Sequence, residues 1–166
     1  MTGDDQVVLV SVATIQRPHD FSPPSPQYGH DARFGDRVRL IGYDLRGATN
    51  ARAGQSLTLV LYWQALATFE RPYTVFAHVV DARGRIVGQR DQTPGSGAFP
   101  TTGWVPGEYL ADAYALPINP DTPGGDYWIE VGFYDPLDGA RLPVTDAAGR
   151  PLGDRLLLEK TPVRVE

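Results

Sequence analysis

The 166-residue chain contains no cysteine, which excludes disulfides, thiolate catalysis and Cys-ligated zinc and leaves the redox compartment open. Lysine is almost missing too, with Lys160 standing alone among 15 basic residues, the rest arginine. Against them stand 20 acidic residues, and the resulting net charge of -5 opposes attraction to a phosphate backbone, so nucleic acid is not an expected partner. Long apolar runs are also lacking. None approaches the ~20 residues needed to cross a bilayer, and the acidic start MTGDDQ has neither the basic nor the apolar region of a secretory signal. The expectation is a chain that does not itself insert into a membrane, and that works outside the cytoplasm only as a piece of a longer membrane protein.

Catalytic motifs are missing as well. There is no G-x-S-x-G elbow, no phosphate-binding glycine loop and no calcium loop of the helix-loop-helix type. Glu108 with Asp112 or Glu130 supplies carboxylates, but no spacing sets two of them around a cleft as glycoside hydrolysis requires. His19 and His30 sit in a proline-rich stretch at no metal-ligand spacing. Asp121, Asp126, Asp135 and Asp138 lie in turns, where Asp and Gly are favoured for conformation alone. No catalytic residue, no metal and no cofactor is expected, and a free-standing hydrolase is the least favoured class.

What is abundant is punctuation: 18 Gly and 15 Pro, without a collagen period, in a chain whose 42% hydrophobic content is ordinary for one globular domain. Between these breaks lie short β-branched and aromatic runs. They predict an all-β fold, an antiparallel β-sandwich of immunoglobulin-like or jelly-roll type with about eight or nine strands. Residues 6–15 (QVVLVSVATI) read as a first strand and residues 17–33 as a proline-rich connection that stays out of the sheet; residues 34–166 form the sandwich body. In residues 56–66, Leu57, Leu59, Leu61, Trp63 and Ala65 share the expected core face, because side chains alternate along a strand. Residues 73–80 are apolar on both faces and suit a central strand, with a structural His78 that belongs to the core. Asp81-Ala82-Arg83-Gly84 turns that strand back, and residues 135–139 close a second hairpin. The tail, 154–165, supplies one or two last strands, with Pro162 marking an edge or a break.

Two aromatic sites stand out as candidates for a ligand. Trp104 lies in the loop TTGWVPGE beside Glu108, in a frame of prolines and glycines. In residues 127–134, Tyr127, Ile129, Val131 and Phe133 form the apolar set, leaving Trp128, Glu130 and Tyr134 on the other face. An aromatic face flanked by a carboxylate suits a sugar, whose C–H bonds stack on the ring while its hydroxyls meet polar groups. The competing expectation is that these rings cap the sandwich or lie under a loop.

The segments FGDRVRLIGYDL, LTLVLYWQAL, YTVFAHVVDARGRIVGQRD, TTGWVPGE and GGDYWIEVGFYDPLDGARLPV together resemble a β-sandwich module of Chloroflexus-like bacteria. That module is found as the C-terminal extracytoplasmic domain of membrane glycosyltransferases of the protein-mannosyltransferase type. The resemblance implies a non-catalytic accessory domain, with a glycan or the parent glycosyltransferase as its partner. It carries over no functional residue. The expected function is therefore an accessory, carbohydrate-recognising module, against the alternative of a structural or protein-interaction domain with no small ligand.

Overall fold

The computed structural model describes residues 17–166, so the strand expected at residues 6–15 lies outside the described part. Ten strands follow in order: β1 (Tyr28–Phe34), β2 (Val38–Arg46), β3 (Ser56–Ala65), β4 (Thr74–Val80), β5 (Ile86–Gln92), β6 (Tyr109–Pro117), β7 (Gly125–Tyr134), β8 (Val144–Asp146), β9 (Pro151–Gly153) and β10 (Leu156–Val165). They form two antiparallel sheets, one of six strands in the order β6-β3-β2-β1-β8-β9 and one of four in the order β10-β7-β4-β5. This is the predicted antiparallel sandwich, with ten strands among the described residues where the sequence suggested eight or nine. No helix there is long and apolar enough to cross a membrane.

Alternation places the core. Leu57, Leu59, Leu61, Trp63 and Ala65 of β3 all point inward and are buried, as expected. Tyr127, Ile129, Val131 and Phe133 of β7 meet them from the other sheet. At the centre the Trp63 ring stands edge-on to Phe34 at 5.3 Å and to Phe133 at 4.8 Å, tying the two layers together. Such edge-to-face pairs add to the stability already gained by burying the rings.

Three sequence expectations are corrected. Residues 28–33 are not connection: β1 begins there and runs in the six-stranded sheet between β2 and β8. All four prolines of the segment precede it, so Ala32 and Phe34 are free to enter the core. The turn after β7 does not close a hairpin between paired strands. It makes one isolated bridge, Tyr134 to Arg141, after which the chain crosses to β8 in the other sheet. Third, His78 does not face the sandwich interior. It shares the outer side of β4 with Phe76, while Val75, Ala77 and Val79 face the core.

The tail is one strand whose pairing with β7 breaks between Leu158 and Val163, across Pro162, because proline has no N–H for the ladder. The DARGR and DAAGR turns share one geometry. Asp81 Oδ1 accepts the N–H groups of Arg83 and Arg85, and Asp146 Oδ1 those of Ala148 and Arg150, each at 2.9 Å. Gly84 and Gly149 take the left-handed conformation these turns need, at φ of 80° and 79°.

Candidate functional site

The two candidate regions differ sharply in access. Between β5 and β6 the chain makes two short 3-10 turns, Pro94–Gly97 and Thr101–Gly103, then reaches Trp104. The indole is 2% exposed. Its edge meets Phe69 at 5.8 Å and Phe133 at 6.3 Å, and Nε1–H donates to the Phe99 carbonyl at 2.9 Å. Trp104 thus caps one end of the sandwich, with its one polar group satisfied. Its partner in the expected site, Glu108, is wholly buried.

Glu108 binds the chain to itself. Oε1 accepts Arg17 Nη2–H at 2.9 Å and the Val105 N–H at 2.8 Å; Oε2 accepts Arg17 Nη1–H at 3.1 Å and lies 2.8 Å from His19 Nδ1. A backbone bond from Tyr109 N–H to the Asp20 carbonyl, at 2.7 Å, extends the same strap. Burial would raise the Glu108 pKa, but the bonds from Arg17, His19 and Val105 outweigh it and hold the carboxyl below its ordinary range. A depressed folded pKa contributes stability that is present above the ordinary carboxylate range and is lost as pH falls through the folded value. Glu108→Gln is therefore expected to cost about 2 kcal/mol at pH 7, the scale of a charge-assisted bond. The same change should flatten the acid limb of stability, as read by urea unfolding at a series of pH values.

Asp112, on β6 just beyond Glu108, is also wholly buried. It accepts Trp63 Nε1–H at 3.2 Å, the Gly95 N–H at 2.8 Å and the Tyr114 hydroxyl. Burial pushes its carboxyl up and the Tyr114 phenol well above its usual value. Both acids are consumed in holding loops. Asp138 behaves alike, its Oδ1 accepting the Ala140 N–H at 2.9 Å, whereas Asp126, expected in a turn, lies in β7 and pairs across to Arg164 of β10 at 3.0 Å. Buried Asp135 caps the Leu137 N–H at 2.9 Å, while Arg71 Nη2, 3.0 Å from Oδ2, supplies charge without an aligned hydrogen bond. Among the described residues no three potential metal ligands come together.

The outer face of the four-stranded sheet is built differently. Trp128, Glu130 and Tyr134 alternate along β7 on that side, and both rings keep partial exposure, as the spacing predicted. Register sets His78 of β4 opposite Glu130 and Phe76 opposite Gly132 on β7 and Asp91 on β5. His78 Nδ1 lies 3.1 Å from Glu130 Oε1, and Nε2 lies 3.5 Å from Asp91 Oδ1. Glu130 Oε2 then meets Arg155 Nε at 3.1 Å. The row Asp91, His78, Glu130, Arg155 sets an imidazole between two carboxylates and a guanidinium at its end, and draws on β5, β4, β7 and the residue preceding β10. At one end Tyr134 donates its hydroxyl to Asp91 Oδ2 at 3.1 Å, and Arg141 stacks over the Phe76 ring at 4.3 Å.

The structure therefore groups Trp128, Glu130 and Tyr134 on the outer side of this sheet, the two rings partly exposed and Glu130 buried among its ion pairs, and separates them from Trp104 and Glu108 at the end of the sandwich. Sequence reading missed Asp91, Arg141 and Arg155 on that face and Arg17 in the strap. Extending the Asp81–Gly84 hairpin register outward would place Arg90 across from Phe76; a β-bulge between Val79 and Val80 shifts the pairing by one residue and brings Asp91 there instead. Arg141 and Arg155 follow turns, where alternation offers no guide.

No protein-family model matches this chain, and no curated protein does either.

Proposed function

We propose that this chain is a non-catalytic accessory module that recognises carbohydrate on the outer face of its four-stranded sheet, beside a membrane glycosyltransferase as its partner. The observation that carries the recognition reading is the convergence on one face of two partly exposed rings, Trp128 and Tyr134, with polar groups from all four strands of that sheet or their ends. The rings offer a surface on which sugar C–H groups can stack; partly exposed Asp91 offers an acceptor and Arg155 donors to hydroxyls, while buried Glu130 holds His78 and Arg155 in place. The non-catalytic reading is supported by Glu108 and Asp112, whose carboxylates are saturated by internal bonds. The partner rests on the resemblance alone.

Trp128→Ala is expected to remove glycan binding while costing less stability than Trp104→Ala, since the ring keeps partial exposure. Isothermal titration against an oligosaccharide series, alongside thermal unfolding, reads both quantities. Unchanged binding in the variant would refute the site. Turnover of aryl glycosides would refute the non-catalytic assignment.

A further inference from the structure

The four-stranded sheet ends at β10, and that edge is open where the other edges of the sandwich are covered. At the β6 edge the Asp20 carbonyl takes the Tyr109 N–H and the Gln92 amide donates to the Ala113 carbonyl; at the β5 edge the Asn119 N–H reaches the Val87 carbonyl. The β9 edge is only 3 residues long. On β10 itself Arg164 is covered, bonded through its N–H to Ala48 and through its C=O to Ala51. Residues 155–159 have no such cover among the described residues.

Register fixes where the backbone points there. Tyr134 of β7 pairs with Thr74 of β4 on one side and bridges to Arg141 on the other, where the Phe133 carbonyl accepts the Leu142 N–H. Backbone groups alternate sides along a strand, so Val131 and Ile129 also face away from β4, toward their opposites Leu156 and Leu158. Leu157, opposite Glu130, therefore aims its N–H and C=O away from β7. Arg164, opposite Asp126 at the same parity, shows the same outward aim.

The side chains along this edge complement themselves. Residues 155–159 read Arg-Leu-Leu-Leu-Glu; Leu156 and Leu158 are buried, while Arg155, Leu157 and Glu159 are exposed. Two copies laid antiparallel about a two-fold axis at Leu157 set each Arg155 opposite the other copy's Glu159. Arg155 meets Glu130 through Nε at 3.1 Å, which leaves both Nη groups for a second carboxylate. Exposed Glu159 has no salt bridge of its own among the described residues. A depression of about 310 Å³ lies against the edge, lined by His30, Leu152, Arg155, Leu156, Leu157 and Glu159. Two of its leucines are exposed, Leu152 at 45% and Leu157 at 37%, apolar surface that a partner would cover.

We infer that the chain pairs with a second copy of itself through residues 155–159 of β10, joining the two four-stranded sheets into one continuous sheet. At the axis the two Leu157 residues exchange their N–H and C=O groups, and an Arg155–Glu159 pair closes each end. Pairing stops at Pro162, where the strand already breaks, and each copy uses the same surface, so the assembly closes at two. The dimer is independent of carbohydrate recognition.

Sedimentation equilibrium of the intact chain tests this, beside Glu159→Arg and Leu157→Pro. The expected result is a species of twice the chain mass at micromolar concentration. Glu159→Arg sets like charges opposite each other and should weaken the dimer at least about ten-fold. Leu157→Pro removes an N–H that β7 does not use and should leave a folded monomer, with circular dichroism reading the fold. Because the chain has no cysteine, single introduced thiols report the register. Leu157→Cys should cross-link under mild oxidation, since facing residues of an antiparallel pair lie ~5.5 Å apart at Cα. Glu159→Cys should not, because the axis sets that position opposite Arg155. A monomer up to millimolar concentration, a dimer that Glu159→Arg leaves at full strength, or equal cross-linking at the two thiol positions would each overturn the inference. If Leu157→Pro fails to fold, Glu159→Arg and the two thiol variants decide.

Discussion

Trp104→Ala is expected to lower stability by about 3 to 5 kcal/mol, the usual cost of removing a fully buried tryptophan. In a chain of this length that corresponds to a fall in Tm of roughly 6 to 20 °C. The size follows from what the indole holds. It fills the end of the sandwich between Phe69 and Phe133, rings from a loop and from the core strand β7. It also anchors the loop backbone through the Phe99 carbonyl. Removal leaves a cavity in contact with the core and orphans that carbonyl. Differential scanning calorimetry of Trp104→Ala and Trp128→Ala side by side separates cap from platform. A large drop for the first with a small one for the second is the expected pattern, and equal drops would show that Trp128 is also a packing residue.

That contrast shows which parts of the molecule could be read from sequence. Parity on β3 and β7 assigned twelve inward and outward positions correctly because both strands run for 10 residues, long enough for alternation to stand out. It failed where elements are short: β8 and β9 have 3 residues each, too few for any period. For His78, parity was read but not resolved, since β4 is apolar on both sides. Phe76 and Val80 look like core residues, yet they lie on the outer face, covered by neighbours such as Arg141. Covering an outer face requires side chains from distant turns, and no local pattern records them. The same holds for the strap. Arg17 and Glu108 are 91 residues apart, and only the folded topology brings the guanidinium onto a carboxylate that looked like a ligand contact in a loop.

The strap and the cap together explain why the enclosed region behaves as scaffold. Glu108 fixes the segment around Arg17 and the start of β6, Asp112 fixes Gly95, and Trp104 fixes Phe99, so the long connection between β5 and β6 is tied at both ends and in the middle. This connection carries the chain from the four-stranded sheet to the six-stranded one. Its rigidity holds β5 and β6 side by side at one edge of the sandwich, where Gln92 Nε2–H donates to the Ala113 carbonyl at 3.0 Å and Asn119 N–H to the Val87 carbonyl at 2.8 Å.

At that edge lies the glycine on which closure depends. A Cβ placed on Gly88 would sit 1.9 Å from the Pro117 carbonyl oxygen and 3.0 Å from its carbon. Both are backbone atoms of β6, so no rotamer change relieves the contact. Gly88→Ala must push β5 away from β6, opening the sandwich edge and stretching the Asn119 to Val87 bond. The expected loss is at least about 3 kcal/mol, the upper range for overpacking a close-packed site. Gly29→Ala is the control, because nothing lies within 4 Å of its Cβ position, and its effect should stay within about 0.5 kcal/mol. Urea unfolding of the two variants measures the difference. Equal stability would mean that β5 and β6 separate freely. A large loss confined to Gly88→Ala would establish that the four-stranded sheet is locked at this edge to the one behind it.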